Sequence, residues 1–139
     1  MLTKHLVTGF LAIGISSVSS LVSANPLVLV NDTNFDSTSI INNGACSTIM
    51  GDTGITKAHT TNTVSEMKIK LACLANATDC KADIYMTNNC TGPKVAAMYF
   101  DTKTGIKADK TEIYDHTYNI ATEAFKVSFS GGPAFLVKK

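Results

Sequence analysis

Four cysteines, Cys46, Cys73, Cys80 and Cys90, follow an export leader, and this pairing of features constrains the chain more than any other. Lys4 and His5 form a positive head, Leu6 to Ile15 an apolar run, and Val22-Ser23-Ala24 a small-x-small cleavage site before Asn25. The run is too short to cross a bilayer, which takes about 20 residues. The expectation is a secretory signal peptide over 1–24, bacterial in style, and a single domain over 25–139. That domain is secreted or periplasmic, in a compartment where thiols oxidise. Removing 24 of 139 residues leaves 115, enough for one core but a small one, so two disulfides would supply a large part of its stability.

Four cysteines allow three pairings. Met67, Ile69, Leu71 and Cys73 alternate with polar or small residues, and so do Cys80, Ala82, Ile84 and Met86. Read as strands, the two runs fold into a hairpin around the loop 74–79. Cys73 then faces Cys80, Ile69 faces Ile84, and Lys70 meets Asp83 on the other face. This register predicts Cys73–Cys80 and leaves Cys46–Cys90. The second choice is Cys46–Cys73 with Cys80–Cys90, which requires the strand from Cys80 to end early, since bridged Cα atoms lie within about 7 Å.

Elsewhere short runs alternate or are rich in β-branched residues, separated by turn signals about every ten residues. Strands are expected at Pro26–Val30, Ser39–Ile41, Lys94–Phe100, Ile106–Tyr114, Ala124–Ser130 and Ala134–Val137, with Tyr118–Ala121 marginal. Gly105 closes a hairpin loop in the manner of a left-handed bulge. Residues 51–65 read as an extended loop that has room for an irregular edge strand. The fold class is all-β: a small antiparallel β-sandwich or partly open barrel of six to nine short strands, stapled by disulfides.

Composition narrows function by exclusion. All twelve basic residues are Lys, and eleven acidic residues nearly balance them. A neutral domain without Arg has little general attraction for nucleic acid. An AT-rich genome would also favour Lys over Arg. Trp is absent, which lowers the weight of Trp-based carbohydrate sites. The cysteines lack the close spacing of zinc sites, no calcium loop occurs, and no Cys-x-x-Cys or Gly-x-Ser-x-Gly is present. No cofactor or metal is expected.

Asp52-Thr53-Gly54 matches the Asp-Thr-Gly of aspartic proteases, but Gly51 precedes it where that family has a hydrophobic strand, and Ile55 follows where it has Ala or Ser. The tripeptide is ordinary turn composition and does not carry the family's chemistry here. Three sequons begin at Asn31, Asn76 and Asn89; they matter only in a eukaryotic secretory pathway. Tyr85, Tyr99, Phe100, Tyr114 and Tyr118 are candidates for a surface aromatic patch, with pleat filling as the ordinary alternative.

No catalytic residue is assigned. The reading is a non-catalytic binding or interaction module whose loops 51–65, 74–79 and 88–93 meet a protein or glycan partner. Asp52, His59, Asn76 and Asn89 are the candidate binding-loop residues. No nucleic-acid partner and no integral membrane segment after cleavage are expected. The first alternative is a small secreted hydrolase or toxin using Asp52 and His59; the second is a structural component of the cell envelope.

Overall fold

The computed structural model describes residues 25–134. The leader lies outside the described residues, and so does the expected terminal strand beyond Ala134, which is itself not in a strand. The described residues form two facing β-sheets with one short α-helix and two 3-10 segments. The strands are β1 (Leu27–Thr33), β2 (Thr38–Ile41), β3 (Thr60–Val64), β4 (Cys80–Tyr85), β5 (Ala96–Asp101), β6 (Gly105–Ile106), β7 (Glu112–Ile113), β8 (Tyr118–Glu123) and β9 (Lys126–Gly131). The first sheet runs β3-β1-β9-β8; the second runs β2-β4-β5-β6, with β7 also on β5.

The apolar pattern explains how the layers meet. In β9, Val127 and Phe129 point inward while Lys126 stays exposed, as strict alternation requires. In the second sheet β5 is buried along nearly its whole length, from Ala96 to Phe100, consistent with its apolar run and central place. Ile84 and Met98 from that sheet, with Met86 and Val95 just beyond its strands, pack with Tyr118, Val127 and Phe129 from the other. A second cluster joins Ile69, Cys73, Cys80 and Phe100, with Phe125 edge-on to Phe100.

One expected strand is a helix. Glu66–Ala72, designated α1, replaces the strand expected over 67–73. Ser65 caps it, its hydroxyl accepting from the Lys68 backbone N–H at 3.3 Å. Glu66 pairs with Lys70 one turn on, at 3.3 Å. The segment EMKIKLA holds one β-branched residue, Ile69, among strong helix formers. Its real periodicity is four: Ile69 and Cys73 are buried, while Met67 and Leu71 are 72% and 62% exposed. The hairpin with β4 therefore does not form. β4 pairs with β2 and β5 instead, and Asp83 pairs with Lys81 and Lys94 rather than Lys70.

Two further expectations are corrected, and the edge strand for which 51–65 had room is present. The sheets are not wholly antiparallel, because β1 and β9 run parallel, Leu29 opposite Val127 and Asn31 opposite Phe129. The loop 51–65 holds the end of a kinked 3-10 segment (Ser47–Gly54) and then the edge strand β3. The expected strand 106–114 breaks into β6, a 3-10 turn at Ala108–Lys110 and β7. The hairpin glycine does sit in the left-handed region: Gly105 has φ 101°, and a Cβ there would collide with the Ala124 carbonyl.

Cys46 bridges Cys90 and Cys73 bridges Cys80, with Cα atoms 5.9 and 5.5 Å apart. The first ties the start of the 3-10 segment to the loop after β4; the second ties the end of α1 to the start of β4. Buried Asn31 holds the end of β1. Its amide donates to the carbonyls of Phe35 (2.7 Å) and Thr56 (2.9 Å), and its Oδ1 accepts from the N–H and hydroxyl of Thr33 (3.1 and 2.7 Å). The sequon asparagine is thus inaccessible in the folded domain.

Asn31→Ala should lower unfolding free energy by about 2–3 kcal/mol, because it removes the four hydrogen bonds this buried side chain makes, and urea denaturation measures this. Loop length orders the bridges. Removing Cys46–Cys90 (44 residues apart) should cost more than removing Cys73–Cys80 (7 apart). The expected losses are about 4 and about 2.5 kcal/mol respectively. Denaturation of the two double-alanine variants tests that order.

Candidate functional site

Between the sheets lies a cavity of about 120 Å³, lined mainly by apolar side chains. Leu29 and Val127 of the first sheet face Ile84 and Met98 of the second across it, and Ile69 of α1 closes one side. Ala72 and Ala82 also line it, and their small side chains leave room that a larger residue would fill. An apolar cavity of comparable size, about 150 Å³, takes benzene.

Between α1 and the 3-10 segment the lining residues Met50, Thr53 and Lys68 reach the surface. The Lys68 ammonium donates to the Thr53 hydroxyl at 3.1 Å, and that hydroxyl donates to the Met50 carbonyl at 3.0 Å. Among the described residues Lys68 makes no ion pair, whereas Lys70, Lys81, Lys94, Lys107 and Lys110 each meet a carboxylate.

Below this opening Ser47 orders the 3-10 segment. It is buried, accepts from the Ser39 N–H (3.0 Å) and donates to the Gly54 carbonyl (2.6 Å). Gly54 lies so close to the Ser47 carbonyl that no side chain fits there. Asp52-Thr53-Gly54 is therefore the return of a 3-10 turn, not a catalytic loop leaving a hydrophobic strand.

The predicted binding-loop residues do not converge. His59 has φ 56°, and its ring bridges Asp32 (Nδ1 to Oδ1, 3.1 Å) and Asn34 (Nε2 to Oδ1, 2.8 Å). Both imidazole nitrogens are engaged, and neither partner is a nucleophile that a base could activate. Asp52 is exposed, and no hydrogen bond or ion pair joins it to His59. His116 lies just before β8, on the opposite edge of the first sheet from β3. Three strand spacings, about 14 Å, separate those edges. Glu66 is held by Lys70. Asn76 accepts from the Asp79 N–H (3.1 Å) and Asn89 from the Thr91 hydroxyl (2.6 Å), so both order their own turns. Loops 74–79 and 88–93 lie beyond opposite ends of β4, about 20 Å apart along a six-residue strand, and do not form one surface.

The aromatic patch is not formed either. Tyr118 and Phe100 are core residues, Tyr85 and Tyr99 are half-buried, and only Tyr114 is largely exposed. Lys110 stands over the Tyr99 ring at 4.4 Å and donates to Asp79 at 2.7 Å. Hydrogen bonds from Lys110 and Lys107 hold the Asp79 carboxyl below its ordinary range. Asp83 likewise holds the Lys94 ammonium above its own. These pairs fasten loops to the sheets.

Among the described residues no three His, Cys, Asp or Glu side chains gather as metal ligands would, and no helix is long and apolar enough to cross a membrane. Sequence reasoning missed Thr53 and Lys68 at the opening and Asp32 and Asn34 around His59. For Lys68 a signal existed: Ser65 as a cap, followed by strong helix formers, places Lys68 on the helix beside Ile69.

No curated protein matches the chain. The crystal structure of the Legionella pneumophila type II secretion system substrate NttC matches with a TM-score of 0.63 at 23% identity, over 79% of this chain and 100% of that one. At that identity the likeness speaks for the fold. A protein family described as T2SS substrate NttC matches residues 3–127. That span covers most of the 139-residue sequence, and the chain belongs to the T2SS substrate NttC family.

Proposed function

We propose that this chain is an exported binding protein, released by type II secretion, that performs no covalent chemistry of its own. Family membership supports the export route, and two disulfides suit a life outside the cytoplasm. The leader over 1–24 would begin that route, leaving 25–139 as the mature domain. The observation that carries the binding reading is the contrast between the surface and the interior. Asp79, Asp83 and Glu66 are each held by lysines, and His59 is occupied at both nitrogens. The concave feature with convergent lining is the apolar space between the sheets. Such a space recognises by shape and burial, not by bond-making.

Two measurements test this. Expressed at full length in a Gram-negative host, the protein should reach the medium when the type II apparatus works and stay in the periplasm when it is disabled. Retention in envelope fractions of both hosts would instead favour a structural component. Against panels of peptide, ester and glycoside substrates, wild type, His59→Ala and Asp52→Ala should all match buffer. A turnover that either substitution removes would overturn the non-catalytic reading in favour of the hydrolase.

A further inference from the structure

We propose that the inter-sheet cavity binds the hydrocarbon tail of a small, single-chain carboxylate, with Lys68 at the opening as the partner of its head group. The inference rests on the binding-protein reading and names the ligand of that same site.

Three observations carry it. The first is volume. About 120 Å³ of largely apolar space approaches the size of a cavity that holds the six carbons of benzene. It therefore suits a tail of about that many carbons and is too small for the two tails of a phospholipid. The second is the placement of charge. Lys68 lines the same cavity, yet its ammonium has a neutral hydroxyl, Thr53, as its hydrogen-bond partner and meets no carboxylate among the described residues. A carboxylate arriving there would exchange a neutral acceptor for a charged one, and charge-assisted bonds are the stronger. The third is the rim. Met50 lines the cavity and is itself exposed, so the approach to the opening is partly apolar as well. An uncharged apolar guest would leave Lys68 without a role, and a highly charged one could not enter the lining.

The opening also has a latch. Lys68 and Thr53 join α1 to the 3-10 segment through one exposed side-chain hydrogen bond. Such a bond contributes little and yields readily to a competing acceptor. Binding would replace the latch with the ligand's own head group and leave the disulfide at the end of α1 intact.

The probes are hexanoate and 1-hexanol, titrated into the disulfide-bonded mature protein while backbone amide NMR shifts are followed. Both should produce saturable shifts at Ile84, Met98 and Val127, deep in the lining. Lys68→Met should weaken hexanoate about two- to five-fold and leave 1-hexanol unchanged. Ala72→Leu, which fills part of the space, should weaken both more than ten-fold. Lys68 is half-exposed, so its variant gives a clean readout even if the Ala72 variant fails to fold. Shifts confined to Met67 and Leu71, or none in the lining, would overturn the cavity as the site. An equal effect of Lys68→Met on both probes would overturn the carboxylate assignment. p-Nitrophenyl hexanoate separates this inference from the reading beneath it. If the ester stays intact while the lining is silent, the ligand falls and the binding-protein reading stands. Enzymatic release of hexanoate, lost in His59→Ala, would remove the non-catalytic reading itself.

Discussion

The first sheet depends on β1 lying between β3 and β9, and β1 is held there by a buried carboxamide. The pairing with β9 is parallel and joins the two ends of the described chain, so no local turn can set its register. Asn31 fixes the strand's exit. All of its hydrogen-bonding groups are engaged, two with carbonyls from Phe35 and Thr56. Those contacts turn the chain toward β2 and seat the segment before β3. From there the backbone bridge between Ser37 and Thr56 carries the connection into the second sheet's neighbourhood. A side chain with one fewer donor or acceptor would leave a polar atom stranded in the interior.

The layered β architecture was legible because it rests on local patterns. Val127 and Phe129 alternate with polar residues, Ala96 to Phe100 is apolar without interruption, and Gly105 closes a hairpin that only glycine fits. The helix is hidden in the sequence because Met67, Ile69, Leu71 and Cys73 also satisfy period two, the pattern of a half-buried strand. Ser65 and the helix-forming run after it held the contrary signal. The pairing of Cys73 with Cys80 is compatible with either reading, since a helix end followed by a tight loop brings them as close as a hairpin would. The parallel pairing of β1 with β9 leaves no local trace, because it joins residues about a hundred positions apart, and sequence periodicity sees only neighbours.

The site was less legible than the fold for a related reason. Asp52, His59, Asn76 and Asn89 stood out as polar residues in loops, and each is bound up with its own turn or a neighbouring strand. The cavity is made by what its residues lack. Ala72 and Ala82 sit where bulkier side chains would close the space, and they come from a helix and a strand that only tertiary packing brings together. Lys68 is one of twelve lysines in the sequence, and only the fold sets it beside Thr53.

The parallel β1–β9 pair also shapes how this protein can come into being. A chain that emerges from a membrane N-terminus first presents Leu27–Thr33 long before Lys126–Gly131 exists outside. During that interval β1 can find β3, but its other edge offers bare amides and carbonyls to any passing strand. The bridge between Cys46 and Cys90 can close while β9 is still absent, locking the second sheet's surroundings around an unfinished first one. A copy that closed that bridge before its last strand arrived would expose this edge, and shielding it until β9 pairs would favour the mature fold.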